Sequence, residues 1–148
     1  MSARGQGAPL DHPWNFSAAP PPDAVVIGLG TNDAAGGFEN ATFAARYVAA
    51  YVSFVTGIAS TYAAARGGKG PNFFLVNATC MTAVYAPSVA RVAQLLAAQG
   101  VVHATVLDLA LPDAAKCACG HPSSDQHLAM AQRALPTLRA VMGWEKQK

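Results

Sequence analysis

Charged residues are few in this sequence, at 12% of the 148 positions, whereas hydrophobic residues make up 52%. That balance excludes an intrinsically disordered chain, which is poor in apolar residues and rich in charge. The formal net charge of +2 is too small to leave an electrostatic footprint for nucleic acid or an anionic membrane. Long hydrophobic runs are also lacking, because Gly, Pro or charge interrupts the richest stretches, and this speaks against a membrane span. Cysteine is sparse: Cys80, Cys117 and Cys119 are an odd set that outlines no disulfide framework. Cys117 and Cys119 are too close in sequence for an easy bridge to each other. The first ten residues hold one Arg and no apolar h-region, so they do not read as a signal peptide.

What remains is an Ala-rich globular composition whose length suits one domain. Three of the five asparagines, Asn15, Asn40 and Asn77, open N-x-S/T sequons. This inclines the reading toward a secreted parent protein, although chance sequons are common and Asn77 also ends a buried strand.

Residues 1–22 are rich in Gly, Pro and Ala and end in Pro20-Pro21-Pro22, which reads as a lead-in to a domain spanning 23–148. Asp23 to Leu29 is a β-branched run with little alternation, as expected of a strand buried on both faces. The turn Gly30-Thr31-Asn32-Asp33 follows directly. From about Asn40 to Arg66, Phe43, Tyr47, Tyr51, Phe54 and Ile58 recur at helical spacing, and Gly67-Gly68 closes the helix. Asn72 to Asn77 is a second buried strand. A helix with Pro87 near its first turn and Val89, Val92, Leu95 and Leu96 on one face runs to Gly100. Val101 to Leu109 gives a third strand. The last helix begins near Ser123 or Ser124, and Pro136 is expected to break or kink it before Leu138. Strands alternating with helices call for an α/β fold with parallel pairing and right-handed crossovers. In such a sheet functional groups collect at the C-terminal ends of the strands. That singles out the loops at Gly30 to Asp33 and at Cys117 to His121.

Gly28-Leu29-Gly30 is not a dinucleotide loop, because Asp33 stands where the third glycine would be. His121 precedes a proline that restricts its backbone, in the loop after a strand, and is better placed for chemistry than His127 inside the helix. Taken in order, Trp14-Asn15-Phe16-Ser17, then Pro22-Asp23-Ala24-Val25-Val26-Ile27-Gly28-Leu29-Gly30-Thr31-Asn32-Asp33, resembles the third block of SGNH (GDSL-like) hydrolases. His121-Pro122-Ser123-Ser124-Asp125-Gln126-His127-Leu128-Ala129-Met130-Ala131 resembles their last block, and Gly143-Trp144 a family ending. The most similar branch is carbohydrate esterase family two, the acetyl esterases.

The resemblance implies a three-layer α/β/α, flavodoxin-like sheet and a Ser-His ester hydrolase acting on acetyl or short-acyl, carbohydrate-like esters, with no cofactor and no metal. Asn32 is then the oxyanion donor, a role that contributes about 3–4 kcal/mol when the amide is aimed at transition-state charge. His121 is the general base. Gly30 and Thr31 shape the turn, Asp33 holds the loop, and the carbonyl of Gly120 orients the imidazole, since Ala118 occupies the position where many relatives carry an acid. The implied nucleophile, a Gly-Asp-Ser serine after an upstream strand, is missing from these residues. This leads to the expectation of a partial domain lacking its N-terminal strand, inactive as written. Two other readings stay open. One is a carbohydrate-binding or interaction module using Tyr85, Trp14 and Trp144 as ring platforms. The other is a metal site at Cys117, Cys119 and His121 with His127 or Cys80.

Overall fold

The computed structural model describes residues 15–16, 20–33, 37–68, 70–77, 82–100, 103–110 and 121–144, without the side chains of 82–84. Three strands and three helices alternate: β1 (Ala24–Ile27), α1 (Ala41–Ala65), β2 (Asn72–Asn77), α2 (Thr82–Gln99), β3 (Ala104–Asp108) and α3 (Ser124–Met142). The strands form one parallel sheet in the order β1-β2-β3. An α/β architecture with parallel pairing is what the sequence pattern requires.

The crossovers α1 and α2 lie on the same face of the sheet, where Tyr51, Val55 and Ala59 of α1 and Val89, Val92 and Leu96 of α2 pack on Ile27, Phe73 and Leu75. Strand order advancing in one direction through same-handed crossovers leads to this arrangement. α3 covers the opposite face, where Ala134 closes over Phe74, Leu107 and Leu109. β2 is thus buried from both sides, and its uninterrupted apolar run Phe73-Phe74-Leu75-Val76 reflects that position.

Local chemistry fixes the helix ends. Asn40 caps α1 through its side-chain oxygen, which accepts from the Thr42 and Phe43 amides at 2.9 and 3.2 Å. At the other end of α1, Arg66 donates to the Pro22 carbonyl and pairs with Asp23, both at 2.6 Å, and so ties the lead-in to the helix. Ser123 and Gln126 form a reciprocal capping box at the start of α3, and Gly143 ends it in a left-handed conformation at φ 68°.

Several details depart from the sequence reading. β1 and β3 are shorter than the apolar runs that contain them. Phe54 points outward, while the smaller Val55 and Ala59 enter the core. Pro136 does not end α3, which continues to Met142. Proline removes the bond to the carbonyl four residues earlier, here that of Gln132, and this residue lies on the exposed side of the helix where water replaces the lost donor. α1 is long and apolar enough to cross a membrane, with a mean hydropathy of 1.4 over its best window, contrary to the expectation from interrupted runs. Its single Arg46 and Gly57 interrupt the run too weakly to lower that mean, and in the fold its Tyr51, Val55 and Ala59 are spent on the sheet.

Candidate functional site

The turn after β1 is held from below by three tyrosines. Tyr51 donates its hydroxyl to the Ile27 carbonyl at 3.2 Å, and Tyr47 donates to the Leu29 carbonyl at 2.9 Å. The Tyr85 hydroxyl shares a hydrogen bond of 3.3 Å with Thr31 Oγ1. The anchored residues, 27, 29 and 31, alternate along the chain, so one face of β1 and its turn is gripped at every second residue. Tyr47 and Tyr51 are four apart on α1 and therefore share a helix face. Phe38 packs edge-on against Tyr47 at 4.8 Å between centroids, and Tyr47 against Tyr51 at 5.6 Å. Both phenols are held well above the ordinary tyrosine range, chiefly by burial. Next in effect come neighbouring Tyr51 and Asp33 for Tyr47, and Tyr85 for Tyr51. They remain protonated donors throughout the neutral range.

Gly30 is where the chain bends over this platform. It is buried with φ at 118°, and a Cβ there would meet the Tyr47 hydroxyl at 2.7 Å and Tyr85 Cδ2 at 3.1 Å. Both the dihedral and the close approach require glycine. Beyond it Thr31, Asn32 and Asp33 emerge on the exposed surface. Asp33 borders a groove of about 250 Å³ with Leu29, Tyr47, Ala50, Tyr51 and Phe54.

His121 reaches the same end of the sheet from the other face. Arg133 of α3 donates from Nε to the Asp108 carbonyl at the end of β3, at 2.9 Å. With Met142 at the other end of α3 against Asn72 at the start of β2, α3 runs antiparallel to the strands and begins toward their C-terminal ends. His121 precedes that start and is exposed. The chain leading to Asn32 is thus braced from the α1–α2 side, and His121 precedes the helix on the other side. Both are exposed, and an amide and an imidazole are groups capable of hydrogen-bond donation to an anion and of proton transfer.

The remaining expectations divide clearly. Gly120, Cys80, Cys117, Cys119, Trp14 and Ser17 lie outside the described residues. Among the described residues no group of three His, Cys, Asp or Glu side chains could hold a metal ion. Tyr85 is 1% exposed and presents no ring face, so it is not a sugar platform. Trp144 is exposed but follows the far end of α3. Of the described serines, Ser53 and Ser60 belong to α1, Ser88 to α2, and Ser123 and Ser124 to the start of α3. None follows a strand.

Tyr47 and Tyr51 were legible only as helix periodicity, and Tyr85 only as a ring. The available signal was their type: tyrosine in place of phenylalanine on a buried helix face brings a hydroxyl that needs a partner. No family model matches the chain, and no curated protein or solved structure matches it.

Proposed function

We propose that this chain carries the oxyanion-binding and general-base half of a serine ester hydrolase of the SGNH type, acting on acetyl or short-acyl esters of a carbohydrate-like alcohol. Asn32 donates its side-chain amide to the developing oxyanion. His121 takes the proton from a serine hydroxyl and returns it to the leaving alcohol. The serine is supplied by a strand–turn segment outside these residues. The observation that carries the reading is the braced turn: three hydroxyls and a glycine that tolerates no Cβ hold the chain from Ile27 to Thr31, immediately before Asn32, and leave Asn32 itself exposed. A preorganised donor is what oxyanion stabilisation demands, since its reorientation would otherwise be part of the barrier. The groove beside Asp33 is small, which suits a short acyl group.

The test is fluorophosphonate labelling of the natural gene product, with the 5′ end of its transcript mapped. A product extended by a strand and a Gly-Asp-Ser turn should label at that serine. His121→Ala should abolish turnover, and Asn32→Ala should lower kcat about 100- to 1000-fold with a smaller change in KM. Full activity in the His121 variant would falsify the assignment. A product that begins at Met1 and does not label would turn the reading to a non-catalytic binding module.

A further inference from the structure

The end of the central strand holds a polar atom that the fold does not explain. Asn77 closes β2 and is 8% exposed, and its Oδ1 is fully buried with no hydrogen-bond partner. Strand alternation puts Asn77 on the α1–α2 face, because Phe73 and Leu75 belong to that core while Phe74 belongs to the other. The pairing of Ile27 with Leu75 continues upward. The position of a Gly28 Cβ, 3.7 Å from that of Val76, keeps the same register, so Leu29 lies level with Asn77 and the Gly30–Asn32 turn stands just above it. On the other side Asn77 pairs with Asp108, and its carbonyl accepts from Leu109 at 3.0 Å. The backbone of Asn77 is thus satisfied, and only the side-chain oxygen is not.

An apolar strand-forming residue would fill this place without the desolvation cost of an unpaired carbonyl oxygen. We infer that Asn77 is a ligand-facing acceptor on the floor of the site, between the Asn32 turn and the strand that leads to His121, and that it takes a hydrogen bond from a neutral hydroxyl. The atom is an acceptor, so its complement is a donor. A cationic donor would have to leave water for an apolar surround, whereas a hydroxyl meets a much smaller penalty. Since Oδ1 itself is covered, the 8% exposure belongs to the other atoms of the residue. A half-turn of the amide about χ2, a broad two-fold torsion, exchanges the oxygen with the NH2 group and presents it to the ligand at the cost of covering that group. On the ester-hydrolase reading, on which the ligand's identity rests, this hydroxyl belongs to the alcohol side of the ester.

The test uses the full chain with ¹⁵N-labelled side-chain amides, titrated separately with methyl β-glucopyranoside and with sodium acetate. The glycoside should shift the Asn77 amide resonances, and Asn77→Ala should abolish saturable binding of the glycoside. Asn77→Val, which replaces the unpaired oxygen with a strand-favouring apolar group, should raise Tm by about 2–8 °C. An Asn77 amide that ignores the glycoside, or a Val variant that melts lower than the wild type, would overturn the inference. Acetate should move Asn32 instead. Loss of that response alone, with the Asn77 response intact, counts against the acyl-transfer reading and leaves the hydroxyl site standing.

Discussion

Two of the three tyrosines beneath the turn do work that phenylalanine could not, because each donates a hydroxyl to a backbone carbonyl of β1 or of the turn after it. Removing one forfeits a hydrogen bond with a net worth of about 0.5–1.5 kcal/mol. Their raised ionisation sets a sign for the pH dependence. The folded state holds the protons of Tyr47 and Tyr51 more tightly than the unfolded chain. Their contribution is therefore complete below the ordinary phenol pKa of about 10 and is lost progressively as pH rises above it. Urea unfolding followed from pH 8 upward should show stability falling beyond about pH 10. The double variant Tyr47→Phe with Tyr51→Phe should be less stable at neutral pH but flatter above it. An unchanged alkaline slope in that variant would assign the loss to other groups. Asn77 shows how residue-level reading fails: as a letter it fits a sequon and a strand end equally well, and only the packing around its oxygen reveals an unpaired atom.

At the scale of elements, type and order were legible wherever one periodicity ran without competition. The core positions Val89, Val92 and Leu96 of α2 follow from spacing, and the start of α3 at Ser123 was legible because side-chain capping is a local matter. The central strand was read to its ends for the same reason, being apolar on both faces. What stayed illegible depends on which face meets solvent. The fate of Phe54 is set by where the sheet lies, and that of Pro136 by whether the carbonyl it strands is wet. Pro136 thus sits in a helix that tolerates it without needing it. Pro136→Ala should raise stability by about 1–3 kcal/mol, the restored helical bond outweighing the greater freedom of the unfolded chain. This would be read as a higher urea midpoint at constant m-value. A lower midpoint would mean that the proline's fixed φ, rather than the lost bond, dominates.

At the scale of the whole molecule the two faces of the sheet are unequally covered. Two helices pack on one face, whereas α3 alone packs on the other, over Phe74, Leu107 and Leu109, with Ala24 of β1 at the margin. The Arg133 contact with Asp108 turns one flank of α3 toward β3. Leu135, 200° further round at 100° per residue, lies on the opposite flank of the helix. On this side of the sheet Val26 of β1 is 59% exposed, and Leu128 and Leu135 of α3 are exposed as well. β1 pairs only with β2 among the described residues, and this bare strip borders its other edge. An exposed apolar edge of this kind is an association surface. The turn that carries Asn32 follows that same strand. The chain on its own should therefore associate in a concentration-dependent way through β1. Val26→Lys, which places a charge on the bare face without touching the core below it, should shift sedimentation velocity profiles toward the monomer. Because the tyrosine platform lies on the other face, the substitution should leave Tm within about 1–2 °C of the wild type, as expected of an exposed position. Unchanged association in that variant would place the contact elsewhere on the molecule, the outer surface of α1 being the next apolar candidate.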